Sequence, residues 1–270
     1  MEESIITSTQ NAKVKHVVAL QQKSALRRKE GLFVVEGRRE LMHCVEAGYE
    51  IAECFVLDKL ADLADLAPLG SLESLGSLVS LVSPQVYEKM AYRGSTEGVI
   101  AVVRERQRSL DDLQLSASPL IIVLERVEKP GNLGAVLRSA DAAKADAVII
   151  CDPLTDLYNP NLIRSSIGAI FSVPCVACSS EACITFLKAH GIQILTAQLQ
   201  DSSLYYDTDM LVGTAIVMGT ESTGLTDVWR QAADAHIRIP MLGQLDSLNV
   251  SVSAAILLFE AVRQRQSVKS

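Results

Sequence analysis

The chain has 270 residues, 49% of them hydrophobic, with mean hydropathy +0.23 and a net charge of −7. That is enough apolar material for one large or two smaller buried cores, while the most apolar run, Leu120 to Leu124, is far too short to span a bilayer. The acidic balance argues at first against a polyanionic partner, but residues 1–39 carry eight Lys and Arg against four Glu, a local charge of +4, so a basic segment opens an acidic protein.

The opening Met-Glu-Glu-Ser lacks the basic and apolar regions of a secretion signal, which makes the cytoplasm the expected compartment and a membrane partner unexpected. Six cysteines, at 44, 54, 151, 175, 178 and 183, sit in apolar surroundings and read as reduced and buried. Cys175-x-x-Cys178 with Cys183 suggests zinc, but no second Cys or His pair follows at finger spacing, and no metal is assigned.

In chain order, residues 8–30 read as one capped helix with Val14, Val17, Val18, Leu20 and Leu26 inward and the basic residues outward, a face for solvent or for phosphates. Gly31 ends it, Leu32 to Val35 is a strand, a helix follows to about Ala47, and a second strand surrounds Cys54 to Leu57. Residues 61–83 are built of Leu, Ala, Ser and Gly and are loosely specified, with room for a short strand at Leu78 to Val82. Gly98 to Val103 closes this small αβ domain as a strand, and the linker falls in the polar run from Arg104 to Ser118. The expected boundaries are 1–106, 107–118 and 119–270.

From Pro119 strands and helices alternate at short intervals, which predicts a parallel sheet with helices on its faces. Strands are expected at 119–127, 147–150, 192–196 and 215–218. Asn132 caps a helix to about Ala143, Asn159 and Pro160 open one from Leu162 to Ile170, and two more cover 181–190 and 226–233. A last strand ends at Ile239 and is stopped by Pro240. A polar loop then leads to a helix capped by Ser247 or Asn249, with Val250 to Ala255 all small and bulk arriving at Ile256 to Phe259. Ligands bind at the loop ends of such sheets.

Three places combine turn residues with isolated polar groups. Lys129 to Arg138 follows a strand and opens a helix, but has neither a dinucleotide glycine fingerprint nor a Walker loop. Arg138 there, flanked by Leu137 and Ala140 near the buried end of an apolar helix, reads from composition as an ion-pairing residue before a catalytic one. Ser165 to Ala169 is a patch of small residues within a helix, and Met218 to Leu225 is a strand running into a glycine turn with one carboxylate, Glu221. A nucleophile elbow and a His-Glu-x-x-His pair are absent, and four scattered His do not make a triad.

Together and in this order, the three places resemble the motifs of the SpoU or TrmH family of RNA ribose 2′-O-methyltransferases. Asn132-x-Gly134-x-x-x-Arg138 looks like the first, and Ser166-x-Gly168-Ala169 with Pro174 like the second. The third combines Gly219-Thr220-Glu221-x-x-Gly224-Leu225, Ile239-Pro240-Met241 and Ser247-Leu248-Asn249-Val250-Ser251. Asn11-x-x-x-Lys15 and Lys23-x-x-x-Arg27 through Glu36-Gly37 resemble the RNA-binding domain of members that act on ribosomal RNA. The chain departs from many members in Lys129-Pro130-Gly131 before Asn132, in Ser139, and in Thr220.

The resemblance implies a small N-terminal ribosomal-protein-like αβ domain and a C-terminal α/β domain with a trefoil knot, S-adenosylmethionine as cofactor, RNA, chiefly rRNA, as substrate, and a homodimer through the C-terminal domain. It assigns Arg138, Asn132, Glu221, Ser247 and Asn249 to catalysis. Gly219, Ile239, Leu248, Met218 and Thr196 go to the cofactor, and Lys15, Lys23, Arg27, Arg28 and Arg38 to RNA. The rival readings are a tRNA-directed methyltransferase of the same superfamily, a non-catalytic ribosome-binding protein, and, more distantly, a nicotinamide oxidoreductase.

Overall fold

A computed structural model of the protein describes residues 5–58, 78–92, 97–220 and 223–267. The chain divides into two compact units, Met1–Gln107 with Asp156–Ser172, and Arg108–Thr155 with Val173–Ser270. The segment 156–172, which the sequence reading keeps in the second domain, thus groups with the first unit.

In the first unit, helices α1 (Ala12–Gln22) and α2 (Ser24–Glu30) precede β1 (Leu32–Glu36), α3 (Arg38–Glu46), β2 (Ile51–Leu57), β3 (Val79–Val82), α4 (Pro84–Met90) and β4 (Val99–Arg104). The sheet order is β1-β4-β2-β3, antiparallel except for β2 with β3. Val14, Val17 and Leu20 of α1 and Val86, Tyr87 and Met90 of α4 bury one face of it. Residues 8–30 are two helices, not one. The break falls at Lys23, whose backbone is extended, and Gly31 ends α2 in the left-handed region at φ +63°. The expected strand near Leu78 is β3, whereas the low-complexity stretch before it lies outside the described residues.

Helices α5 (Pro130–Ala142), α6 (Pro160–Ser166) and α7 (Ala169–Ser172) show two corrections. Asn132 does not cap α5: Lys129 stands at the N-cap and Pro130 at the first turn, so Asn132 is already helical. The patch Ser165 to Ala169 is a helix break, with Ile167 at φ +55° and Gly168 at φ +81°. A Cβ on Gly168 would stand 2.9 Å from His43 Cδ2, so glycine there meets both a conformational and a spatial demand. In the same unit Phe33 stacks on Tyr158 at 4.3 Å and Phe171 packs edge-on against Tyr49 at 5.2 Å.

The second unit contains β5 (Leu120–Glu125), α5, β6 (Ala147–Cys151), β7 (Cys175–Cys178), α8 (Ser180–Ala189), β8 (Gln193–Ala197), β9 (Ser203–Leu204), β10 (Thr214–Met218), α9 (Asp227–Ala232), β11 (Ala235–Arg238) and α10 (Val250–Ser267). Its seven strands are all parallel, in the order β7-β6-β5-β10-β8-β11-β9. Strands β5, β6 and β10 are buried along their whole length, which is why they read as unbroken apolar runs rather than alternating ones. One face, through Ile121, Val123, Ile149 and Val217, packs on Phe186 and Leu187 of α8 and Trp229 of α9. Helices α5 and α10 pack on each other, and α10 also lies against β5 and β10. The polar stretch after Gln107 is not all solvent-facing, since Leu110, Leu113 and Leu115 pack onto this core. The sequence pattern does not predict strands β7 and β9. No helix among the described residues is long and apolar enough to cross a membrane.

Candidate functional site

Because the sheet is parallel, the chain leaves β8, β10 and β11 at one edge, where loops converge. The register sets Val217 beside Thr196 and Thr196 beside His236, so Ala197, Met218 and Ile237 arrive at about one level. A cleft of about 420 Å³ lies there. Its walls are Ala197 to Gln200, Met218 to Thr220 with Thr223 to Leu225, the exit of β11 through Ile239 and Met241, the loop at Asp246 to Leu248, and Val250, Ser253 and Leu257 of α10.

The turn after β10 is held by backbone. Thr220 N donates to Gly224 O at 3.2 Å and Gly224 N to Thr220 O at 3.1 Å, while Gly224 takes φ +67°. Gly219 passes so near the returning strand that a Cβ on it would stand 2.3 Å from the Gly224 carbonyl carbon and oxygen. The exit is anchored by Thr226, whose N and Oγ1 donate to the buried carboxylate of Glu125 at 2.9 and 2.6 Å. Glu125 is a lone acid ending an apolar strand, a signal the sequence carries.

Helix α10 begins with a polar lock. The Asn249 side-chain oxygen accepts from Ser251 N at 3.0 Å and from Ser251 Oγ at 2.6 Å, which makes Asn249, not Ser247, the cap. Its amide nitrogen donates to Asn132 Oδ1 at 3.2 Å. A second hollow of about 210 Å³, lined by Val127 to Lys129, Asn132, Gly219, Thr220 and Val250, shares the last three residues with the cleft.

The predicted residues therefore separate into groups. Gly219, Met218, Ile239, Leu248 and Ser247 all line the cleft, and Asn132 and Asn249 meet beside the second hollow. Thr196 does not line it: fully buried, its hydroxyl shares a 2.6 Å hydrogen bond with His236 Nδ1, and the residues that follow it form the wall. Glu221 lies outside the described residues. Arg138 is exposed, contrary to the buried position expected, because Leu133, Val136, Leu137 and Ala140 make the inward stripe and leave 138 to solvent. Among the described residues it has no hydrogen bond or ion pair, and it lines neither hollow. The second-motif residues Ser166, Gly168 and Ala169 belong to the first unit.

The basic residues of the first unit also divide. Lys15, Lys23 and Arg28 are exposed, and Arg38 is half-buried with its Nε donating to Glu97 O at 3.0 Å. Arg27 is buried and is not available to RNA. Its guanidinium forms a 2.6 Å ion pair with Asp156 and donates to the carbonyls of Leu20 and Gln21 at the end of α1. Burial of an Arg requires such compensation, and α1 supplies it.

A model described as the SpoU rRNA methylase family matches residues 119–259, and one described as an MRM3-like substrate-binding domain matches residues 11–101. The chain is 35% identical over 176 residues to a 23S rRNA (uridine(2479)-2′-O)-methyltransferase of Streptomyces viridochromogenes, covering 63% of this chain and 61% of the relative. It is 38% identical to the 23S rRNA (guanosine-2′-O-)-methyltransferase RlmB of Vibrio vulnificus, covering 65% of this chain and 73% of the relative. The crystal structure of an AdoMet-bound rRNA methyltransferase from Sinorhizobium meliloti superposes with a TM-score of 0.87 at 29% identity, over 96% of this chain and 97% of that one.

Proposed function

Because the chain belongs to the SpoU rRNA methylase family, we propose that it transfers a methyl group from S-adenosylmethionine to a ribose 2′-hydroxyl of ribosomal RNA. The observation that carries this reading is the pair of adjoining hollows that share Gly219, Thr220 and Val250 and are joined by the Asn132–Asn249 hydrogen bond. Such an arrangement seats a donor and an acceptor on either side of one glycine turn.

The larger cleft fits the cofactor. Gly219 and Gly224 bring bare backbone to the wall, Ile239, Leu248 and Leu257 give apolar surface for a flat base, and no Cβ fits at 219. S-adenosylmethionine would supply an electrophilic methyl on a sulfonium. The protein's own task is then to hold the acceptor hydroxyl in line, where orientation alone is worth roughly 7–11 kcal/mol. The Asn132–Asn249 pair, backed by Ser251, offers side-chain amides to orient a ribose in the smaller hollow.

A guanidinium stays protonated, so the role that family resemblance assigns to Arg138, which lines neither hollow of its own chain, is that of a fixed positive charge toward an RNA phosphate and the developing alkoxide. Its exposure and its lack of partners among the described residues leave that charge available. Glu221 keeps the role that family resemblance assigns it. Lys15, Lys23 and Arg28 offer phosphate contacts, with Arg38 at their margin. The same proposal includes a cytoplasmic homodimer with a knotted C-terminal domain. Val252 and Phe259, seven residues apart on α10, are each 47% exposed, and Leu242 and Leu245 are 96% and 76% exposed, an apolar surface suited to a second copy.

The test is a pair of measurements on the purified chain. Calorimetry should give one S-adenosylmethionine site per chain. Arg138→Ala should lower methyl transfer to rRNA by about 100-fold or more while leaving cofactor affinity within about twofold. Parallel losses of both would remove Arg138 from the chemistry.

A further inference from the structure

The Sγ atoms of Cys151, Cys178 and Cys183 lie within 4.8 Å of one another. We propose that these three thiols form a binding site for one thiophilic divalent cation, zinc in class, distinct from the cofactor cleft and independent of the methyltransferase reading. Cys151 ends β6, Cys178 ends β7, and the two are register partners on neighbouring parallel strands. Cys183 comes from the first turns of α8, whose start is fixed by Ser179 accepting from Ala182 N at 3.2 Å. The three sulfurs thus hang from rigid elements whose backbone needs no rearrangement to present them.

Their spacing suits a metal. Even with all three separations at the 4.8 Å limit, the centre of the triangle lies about 2.8 Å from each sulfur, roughly 0.5 Å beyond a zinc–sulfur bond of about 2.3 Å. Side-chain torsions absorb a contraction of that size. A disulfide joins two cysteines and gives no reason for a third to converge, and all six cysteines are free in this structure. Cys151 and Cys183 are fully buried while Cys178 is partly open, so entry and a fourth, water ligand both belong to the Cys178 side. Asp152, held by Ser180 Oγ at 2.6 Å, stands beside Cys178 and adds to a negative field that favours a divalent over a monovalent ion. Binding converts the bound thiols to thiolates and releases their protons to solvent, up to three per ion.

The full chain, reduced and stripped with a chelator, is titrated with cobalt(II) and then zinc(II). One equivalent of cobalt should produce a sulfur-to-metal charge-transfer band and tetrahedral visible bands, and zinc should abolish both. Cys178→Ser, with its fold checked by circular dichroism, should weaken binding by about 100-fold or more. Should that variant fail to fold, the wild-type chain still decides: zinc should protect Cys151, Cys178 and Cys183 from alkylation under partly denaturing conditions but not Cys44, Cys54 or Cys175. Absence of the charge-transfer band, protection that ignores this grouping, or a disulfide among the three in the isolated protein would each overturn the proposal.

Discussion

Replacing Gly219 by Ala tests how the cofactor cleft is built. The added Cβ would begin 2.3 Å from the Gly224 carbonyl and 2.5 Å from Leu225 N, against 3.4 Å for ordinary contact, so the turn must retreat by about 1 Å. Both partners in the clash are backbone, and no side chain can swing aside. The retreat strains or breaks the two Thr220–Gly224 hydrogen bonds, each worth about 1 kcal/mol, and overpacking adds about 1–3 kcal/mol. The loss should therefore be about 3–5 kcal/mol. If half of it falls on the cofactor-bound geometry, affinity drops by roughly 10- to 60-fold, since 1.4 kcal/mol is a factor of ten. The assay is S-adenosylmethionine calorimetry beside urea unfolding, with Gly243→Ala as control because a Cβ there meets nothing within 4 Å. Unchanged stability and an affinity within about twofold of wild type would refute the reasoning.

Other substitutions separate structure from function. Arg27→Ala leaves the largely buried Asp156 carboxylate without its partner and should cost about 3–5 kcal/mol in chemical unfolding. Arg28→Ala should change stability by no more than about 0.5 kcal/mol and instead reduce the salt dependence of RNA binding by about one phosphate contact. Asn249→Ala should cost about 1 kcal/mol for the lost cap and lower methyl transfer by more than that stability change explains, as read from kcat at saturating cofactor. Burial raises the Glu36 carboxyl above its usual range, and its Oε1 has no hydrogen-bond partner among the described residues. A raised carboxylate contributes stability that is present below its unfolded pKa and lost as pH rises through the folded value. Glu36→Gln should therefore flatten the fall in stability as pH rises above the ordinary carboxylate range, as thermal unfolding at stepped pH would show.

Much of the second unit could be read from the chain because its strands are buried on both faces and announce themselves as runs such as Leu120 to Leu124. One cap was as readable, that of α6, where Asn159 accepts from Asn161 N at 2.8 Å with Pro160 behind it, as the pair of residues predicts, whereas the cap read at Asn132 is Lys129. What sequence patterns missed was set by distant partners. The break at Lys23 goes with Arg27 reaching Asp156, 129 positions away, and the break at Gly168 with its packing on His43. Neither event has a local signal strong enough to outweigh helical periodicity. Strand β9 has two residues, below the length at which alternation can be seen. At the site, motif residues 117 positions apart were united by family resemblance and not by any spacing rule, and the structure joins them through Asn132 and Asn249. Leu137 and Ala140 beside Arg138 in the chain suggest burial, but on a helix they turn to another side and leave Arg138 exposed. The convergence of Cys151 with Cys178 and Cys183 depends on strand register, which the cysteine spacing does not encode.

The central claim is ribose methylation of ribosomal RNA, and one measurement addresses it most directly. Purified chain is incubated with methyl-labelled S-adenosylmethionine and with rRNA and tRNA in parallel, and the RNA is then hydrolysed with alkali. Label retained in an alkali-resistant dinucleotide from rRNA is the predicted result, because a methylated 2′-oxygen cannot attack its neighbouring phosphate. Label released as mononucleotides would contradict the ribose as acceptor, and a resistant dinucleotide from tRNA alone would contradict the substrate.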